Sequence, residues 1–140
     1  MTIKDILKIN LDEEINTVVD LDNNPTDAAL KEGLDSFVLT QSLGKHLQDF
    51  LEEYNGGTMQ SGVWLSGFYG SGKSYFAQII GLLLQNKTIF GTPMRDRFGV
   101  KIDGLPNENL LKHEIGSLDR INNIVVSFDA SKHNLSLIHI

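Results

Sequence analysis

The sequence predicts an α/β fold in which parallel strands with flanking helices follow a helical N-terminal arm. Three observations predict it. Two short apolar runs, Gly62-Val63-Trp64-Leu65-Ser66 and Ile124-Val125-Val126-Ser127-Phe128, read as buried strands, and the long helix-bearing connection between them makes the pair parallel. The run from Tyr75 to Leu84 has little polar face, as expected of a helix lying on a sheet. The first strand passes into that helix through Gly67-Phe68-Tyr69-Gly70-Ser71-Gly72-Lys73-Ser74, which has the phosphate-binding spacing Gly-x-x-x-x-Gly-Lys-[Ser/Thr]. Together they define an incomplete P-loop NTPase core.

Residues 1–57 form the arm. Ile3, Ile6, Leu7, Ile9, Ile15, Val18 and Val19 among acids and lysines suit a short helix and an extended segment packed on something larger. The acids Asp12, Glu13, Glu14, Asp20 and Asp22 read as a solvated face rather than a metal site. Asn24-Pro25 resembles an N-cap followed by proline at the first helical position, starting a helix over Thr26 to Leu34. Phe37-Val38-Leu39 is a brief extended run, and Thr40 caps the next helix. That helix carries Leu43, Leu47, Phe50, Leu51 and Tyr54 on one stripe and ends at Asn55-Gly56-Gly57.

Residues 58–134 begin the nucleotide-binding domain, which is expected to be truncated. After the loop and its helix, Asn86 to Pro106 is rich in glycine and turn residues, and its Arg95, Asp96, Arg97 and Lys101 read as solvated surface charges. Asn107 is placed as the cap of a helix with Leu110, Leu111, Ile115 and Leu118 on one face, and Asn122-Asn123 turns the chain into the second strand. Leu135 to Ile140 reads as the translation of a transposon-end adapter used in sequencing libraries, so the natural sequence is expected to stop near Asn134.

The loop carries the chemistry. Gly67, Gly70 and Gly72 let successive backbone N–H groups turn inward around phosphate oxygens, and the helix beginning at Lys73 adds the positive end of its dipole. Lys73 is the candidate catalytic cation for the β- and γ-phosphates, and the Ser74 hydroxyl is the candidate Mg²⁺ ligand. Ser71 and Tyr75 complete the cofactor-binding set with Gly67, Gly70, Gly72, Lys73 and Ser74. Asp129 ends the second strand, where an acid near Mg²⁺ could sit. No second acid follows it, and in larger ATPases the strand after the P-loop helix is often not the one bearing the Mg²⁺ acid. Asp129 therefore stands as an open candidate for both catalysis and metal binding.

Composition narrows the classes. The 140 residues carry a net charge of -6 with Lys and Arg scattered singly, so the electrostatic footprint of a nucleic-acid binder is missing from this segment. DNA contact elsewhere in a longer parent stays open. Without cysteine there are no disulfides, thiol nucleophiles or cysteine-ligated zinc. His46, His113 and His133 lack metal-ligand spacing, and Asn86-Lys87-Thr88 is a sequon with no secretory context. The N-terminus lacks a signal peptide's apolar core, and the longest apolar run is too short to cross a bilayer. A cytoplasmic, non-membrane protein is expected.

Several stretches together resemble one family, the large P-loop ATPase of BREX bacteriophage-defence systems (BrxC/PglY). They are Met1 to Leu7, Phe37 to Thr40, Val63 to Ser74, Lys101-Ile102-Asp103 and Ile124 to Lys132, so the likeness runs over nearly all of residues 1–134. The resemblance implies the N-terminal end of a much longer ATPase, using ATP and Mg²⁺, self-associating and acting with methyltransferase and other defence proteins to restrict phage DNA. Gly67, Gly70, Gly72, Lys73 and Ser74 carry over residue by residue. The family's later acidic strand and any arginine finger have no counterpart here, so turnover is expected of the full-length parent. Two other functions fit the loop: a nucleotide-gated scaffold that binds without turnover, and a small-molecule kinase. The absence of a guanine-reading Asn-Lys-x-Asp motif leaves the choice of base to the resemblance.

Overall fold

The computed structural model describes residues 25–57, 62–68 and 70–126. The described residues are mostly helical. The elements in order are α1 (Asp27–Ser36), α2 (Gln41–Asn55), α3 (Lys73–Gln85), β1 (Thr88–Ile89), β2 (Thr92–Pro93), α4 (Met94–Ile102) and α5 (Glu108–Ser117), followed by a 3-10 turn over Leu118–Arg120.

Local sequence accounts for the helix ends. Thr26 Oγ1 accepts from the Ala29 N–H at 3.3 Å, so the cap of α1 is Thr26 rather than Asn24, which lies outside the described residues. Thr40 Oγ1 accepts from Leu43 N–H at 3.2 Å and starts α2 as its sequence position predicts. Between them Phe37 and Leu39 are buried and Val38 is exposed, the alternation of an extended link. Asn107 sits at the start of α5 but makes no side-chain cap bond. Its amide nitrogen instead donates to Gly44 O at 3.2 Å and Gln48 Oε1 at 2.8 Å, tying α5 to α2. The two helices come close at Gly44, where an added Cβ would lie 3.7 Å from Leu111 Cδ1 of α5 and 3.0 Å from Leu105 Cδ1 in the link before it.

One core joins these elements. Leu30 and Leu34 of α1 and Leu47 and Leu51 of α2 pack with Phe76, Ile79, Leu82 and Leu83 of α3, Met94, Phe98 and Ile102 of α4, and Leu111, Ile115 and Leu118. It therefore draws on both sides of residue 58. The stripe expected on α2 is present, with Leu43, Phe50 and Tyr54 partly buried at its margins. On α5 the expected face holds except at Leu110, which is 53% exposed.

The α/β expectation is overturned. Among the described residues the only sheet is β1–β2, a two-stranded antiparallel hairpin pairing Thr88 with Pro93 and Ile89 with Thr92. Its turn residues Phe90 and Gly91 both have positive φ, +45° and +76°, as a two-residue hairpin loop requires. The two runs read as buried parallel strands are not in a sheet: residues 62–66 and 124–126 are unpaired, with Trp64 and Ile124 each 89% exposed. Residues 127 and 128 of the second run lie outside the described residues. The physical reason is where the apolar faces go. A parallel sheet needs helices packed over both of its faces, whereas the apolar sides of α1–α5 are turned on one another. The segment after α3, expected to be turns and surface charge, instead forms the hairpin and α4, whose Met94, Phe98 and Ile102 recur every four residues and are all buried.

Candidate phosphate-binding loop

The site is built on the first turn of α3. Gly70 and Gly72 have φ of +77° and +79°, a backbone state that L side chains rarely adopt, and no heavy atom lies within 4 Å of a Cβ built at either. Ser71 N–H donates to Phe68 O at 3.1 Å and closes the turn between the two. Gly72 caps α3 with no side-chain cap bond, so the helix's leading backbone donors are not covered by a capping side chain.

Lys73 spans the loop from the inside. Its Nζ donates to Gly67 O at 2.8 Å, Phe68 O at 2.6 Å and Ser71 Oγ at 3.3 Å. A methyl group at Gly67 would meet Ser71 Oγ at 2.9 Å and the Lys73 side chain at 3.6 Å, so the loop closes tightly around this cation. Ser74 is exposed on the same first turn. Gly67, Gly70, Ser71, Gly72, Lys73 and Ser74 lie together on this loop and the first turn of α3.

Tyr75 belongs to the same turn but faces α1. Its hydroxyl donates to Gly33 O and lies 3.0 Å from Ser36 Oγ, while its ring packs on Phe37 at a centroid distance of 5.5 Å. Asp129, the second candidate for catalysis and Mg²⁺, lies outside the described residues, as do Tyr69 and residues 135–140. Among the described residues no cluster of three or more His, Asp or Glu is arranged to hold a metal, and no helix is long and apolar enough to cross a membrane.

The other end of α3 is held by charge that the sequence reading assigned to the surface. Arg95 has only 9% of its side chain exposed. Its Nε donates to Leu83 O at 2.9 Å, one terminal nitrogen donates to Leu84 O at 3.1 Å, and the other pairs with Asp119. A guanidinium on the last carbonyls of a helix satisfies orphan acceptors and faces the negative end of the dipole. Arg97 donates to Ile89 O through two nitrogens, and Lys101 Nζ donates to Asp35 O at 2.8 Å. The period-four spacing of Met94, Phe98 and Ile102 is the sequence signal that places these cations on a packed helix.

No protein-family model matches the chain, and no solved structure matches it.

Proposed function

We propose that the loop from Gly67 to Ser74 binds the phosphate chain of ATP with Mg²⁺, and that the chain is the nucleotide-binding portion of a larger cytoplasmic ATPase. In the BREX-type setting that the sequence resembles, it would self-associate and act with other defence proteins. The single observation that supports this reading is the Lys73 ammonium, held inside a loop whose Gly70 and Gly72 leave the approach to the backbone open.

The chemistry follows from that arrangement. The three acceptors around Lys73 Nζ are neutral oxygens, and a phosphate oxygen is a stronger, charge-assisted partner for the same ammonium. Exchange of Gly67 O and Phe68 O for phosphate oxygens brings the cation onto the β- and γ-phosphates. The backbone at Gly70 to Gly72 and the leading N–H groups of α3 supply fixed partial positive charge. Ser74 would hold Mg²⁺, which neutralises charge on the phosphates when bound.

The test is calorimetric titration of the full chain with MgATP. Wild type is expected to bind and Lys73→Ala to lose about a hundredfold in affinity, the scale of removing a charged donor from phosphate. Equal affinities would overturn the reading. Phosphate release in the same samples separates an ATPase from a nucleotide-gated scaffold.

A further inference from the structure

We infer that Tyr75 is a positioning residue for this loop, its hydroxyl fixing the rotation of the first turn of α3 against the carboxyl end of α1. The inference rests on the phosphate-binding reading above and names the contact that sets the loop's aim.

Gly33 O is one of the last carbonyls of α1, and it already accepts from Phe37 N–H at 3.1 Å and Ser36 Oγ at 3.0 Å. The Tyr75 phenol reaches the same carbonyl from a different helix. Phe37 continues the contact inward, lying 5.5 Å from the Tyr75 ring and 6.2 Å from that of Phe98, which is fully buried in α4. An aromatic chain therefore connects the first turn of α3 to the centre of the core.

Geometry makes the hydroxyl matter. Tyr75 follows Lys73 by two residues, about 3 Å along the helix axis. A rotation of the turn by about 20° moves backbone atoms on a ~2.3 Å radius by roughly 0.8 Å, and the tip of a lysine by more. Errors near 1 Å are enough to weaken a preorganised contact severely. On the other side of the loop, Trp64 and Phe68 are almost fully exposed, so this turn is seated by the Tyr75 contact with α1 together with the buried side chain of Phe76.

The experiment compares wild type, Tyr75→Phe and Ser36→Ala in the full chain. Affinity is measured for MgATP and for magnesium tripolyphosphate, together with thermal midpoints and amide exchange. Tyr75→Phe keeps the ring and should weaken both ligands about fivefold, the value of one hydrogen bond. Exchange over residues 71–76 should rise, with α4 and α5 unchanged and the midpoint lowered by no more than about 4 °C. Ser36→Ala should weaken binding in the same direction but less. Wild-type affinity in Tyr75→Phe, or a loss matched by a general rise in exchange, would overturn the assignment. If wild type binds neither ligand, the phosphate-binding reading fails and this inference with it; binding by wild type with no effect of Tyr75→Phe removes this inference alone.

Discussion

The helical body and the segment leading into the loop are held by opposite means. In the body, apolar side chains from α1–α5 fill one core, and cations such as Arg95, Arg97 and Lys101 end on backbone carbonyls. In residues 62–68 the side chains stand in solvent: Phe68 is 91% exposed, and no strand pairs with the run. Helices satisfy their backbone groups from within, so a set of them can close on itself; an extended run depends on neighbours for every ladder bond. The loop joins the two regimes. Its form is held by Lys73 from inside and by the seating of α3 from behind.

The sharpest way to break the contrast is to open the body. Phe98→Ala removes a fully buried ring that touches Phe37 and should cost about 3–5 kcal/mol in urea unfolding. Lys73→Ala should move the same transition by no more than about 0.5 kcal/mol, because its bonds serve an exposed loop. Similar losses in both variants would show that the loop is part of the core's stability.

Arg95→Met tests the far end of α3 and should cost about 1–3 kcal/mol, since it strips donors from Leu83 O and Leu84 O and leaves Asp119 without its cation. A change near zero in equilibrium unfolding would mean that water replaces the guanidinium without loss.

A smaller effect than at Arg95 is expected at the α2–α5 seam. Asn55 Nδ2 donates to Glu114 Oε2 at 2.7 Å and to Glu114 O at 2.9 Å. The hydrogen bond donated by the Asn55 amide is the main cause holding the Glu114 carboxyl below its ordinary value, with His113 adding to it and partial burial opposing. Its folded value lies under its unfolded one. The stabilisation is therefore present above about pH 4.5 and fades as pH falls through the lowered folded value. Glu114→Gln should be less stable than wild type by up to about 1 kcal/mol at pH 7, with the gap closing in acid. A gap independent of pH would assign the effect to packing.

These contrasts also explain what the sequence made legible. The α2 stripe and the cap at Thr40 are local patterns, and local patterns survive reading one residue type at a time; at the start of α1 the pattern misleads, since Thr26 takes the cap that Asn24 is expected to supply. Whether Val63-Trp64-Leu65 or Ile124-Val125-Val126 is buried depends on distant partners, so an apolar run carries no information on whether a sheet receives it. Helix α4 is masked in the sequence because Gly99 and four charged residues outweigh its three apolar anchors. Asn107 was placed correctly at a helix start, but its side chain bonds α2 instead of its own helix, a choice fixed by the approach at Gly44. Arg95 shows the same limit: a charge looks solvated until the helix end it caps is known.

The seam between α2 and α5 also sets an order on synthesis. Asn55 and Glu114 are 59 residues apart in the chain, and Gly44 and Asn107 are 63 apart. A ribosome adding ~5–20 residues per second makes the Leu47 and Leu51 stripe roughly 3–12 s before the helix that covers it. For that interval α2 is a nascent amphipathic helix with its cover still unmade. Folding of the body is then gated by translation of its last helix, and slow codons between α3 and α5 would lengthen the time in which chaperones, or neighbouring nascent chains, meet that stripe first.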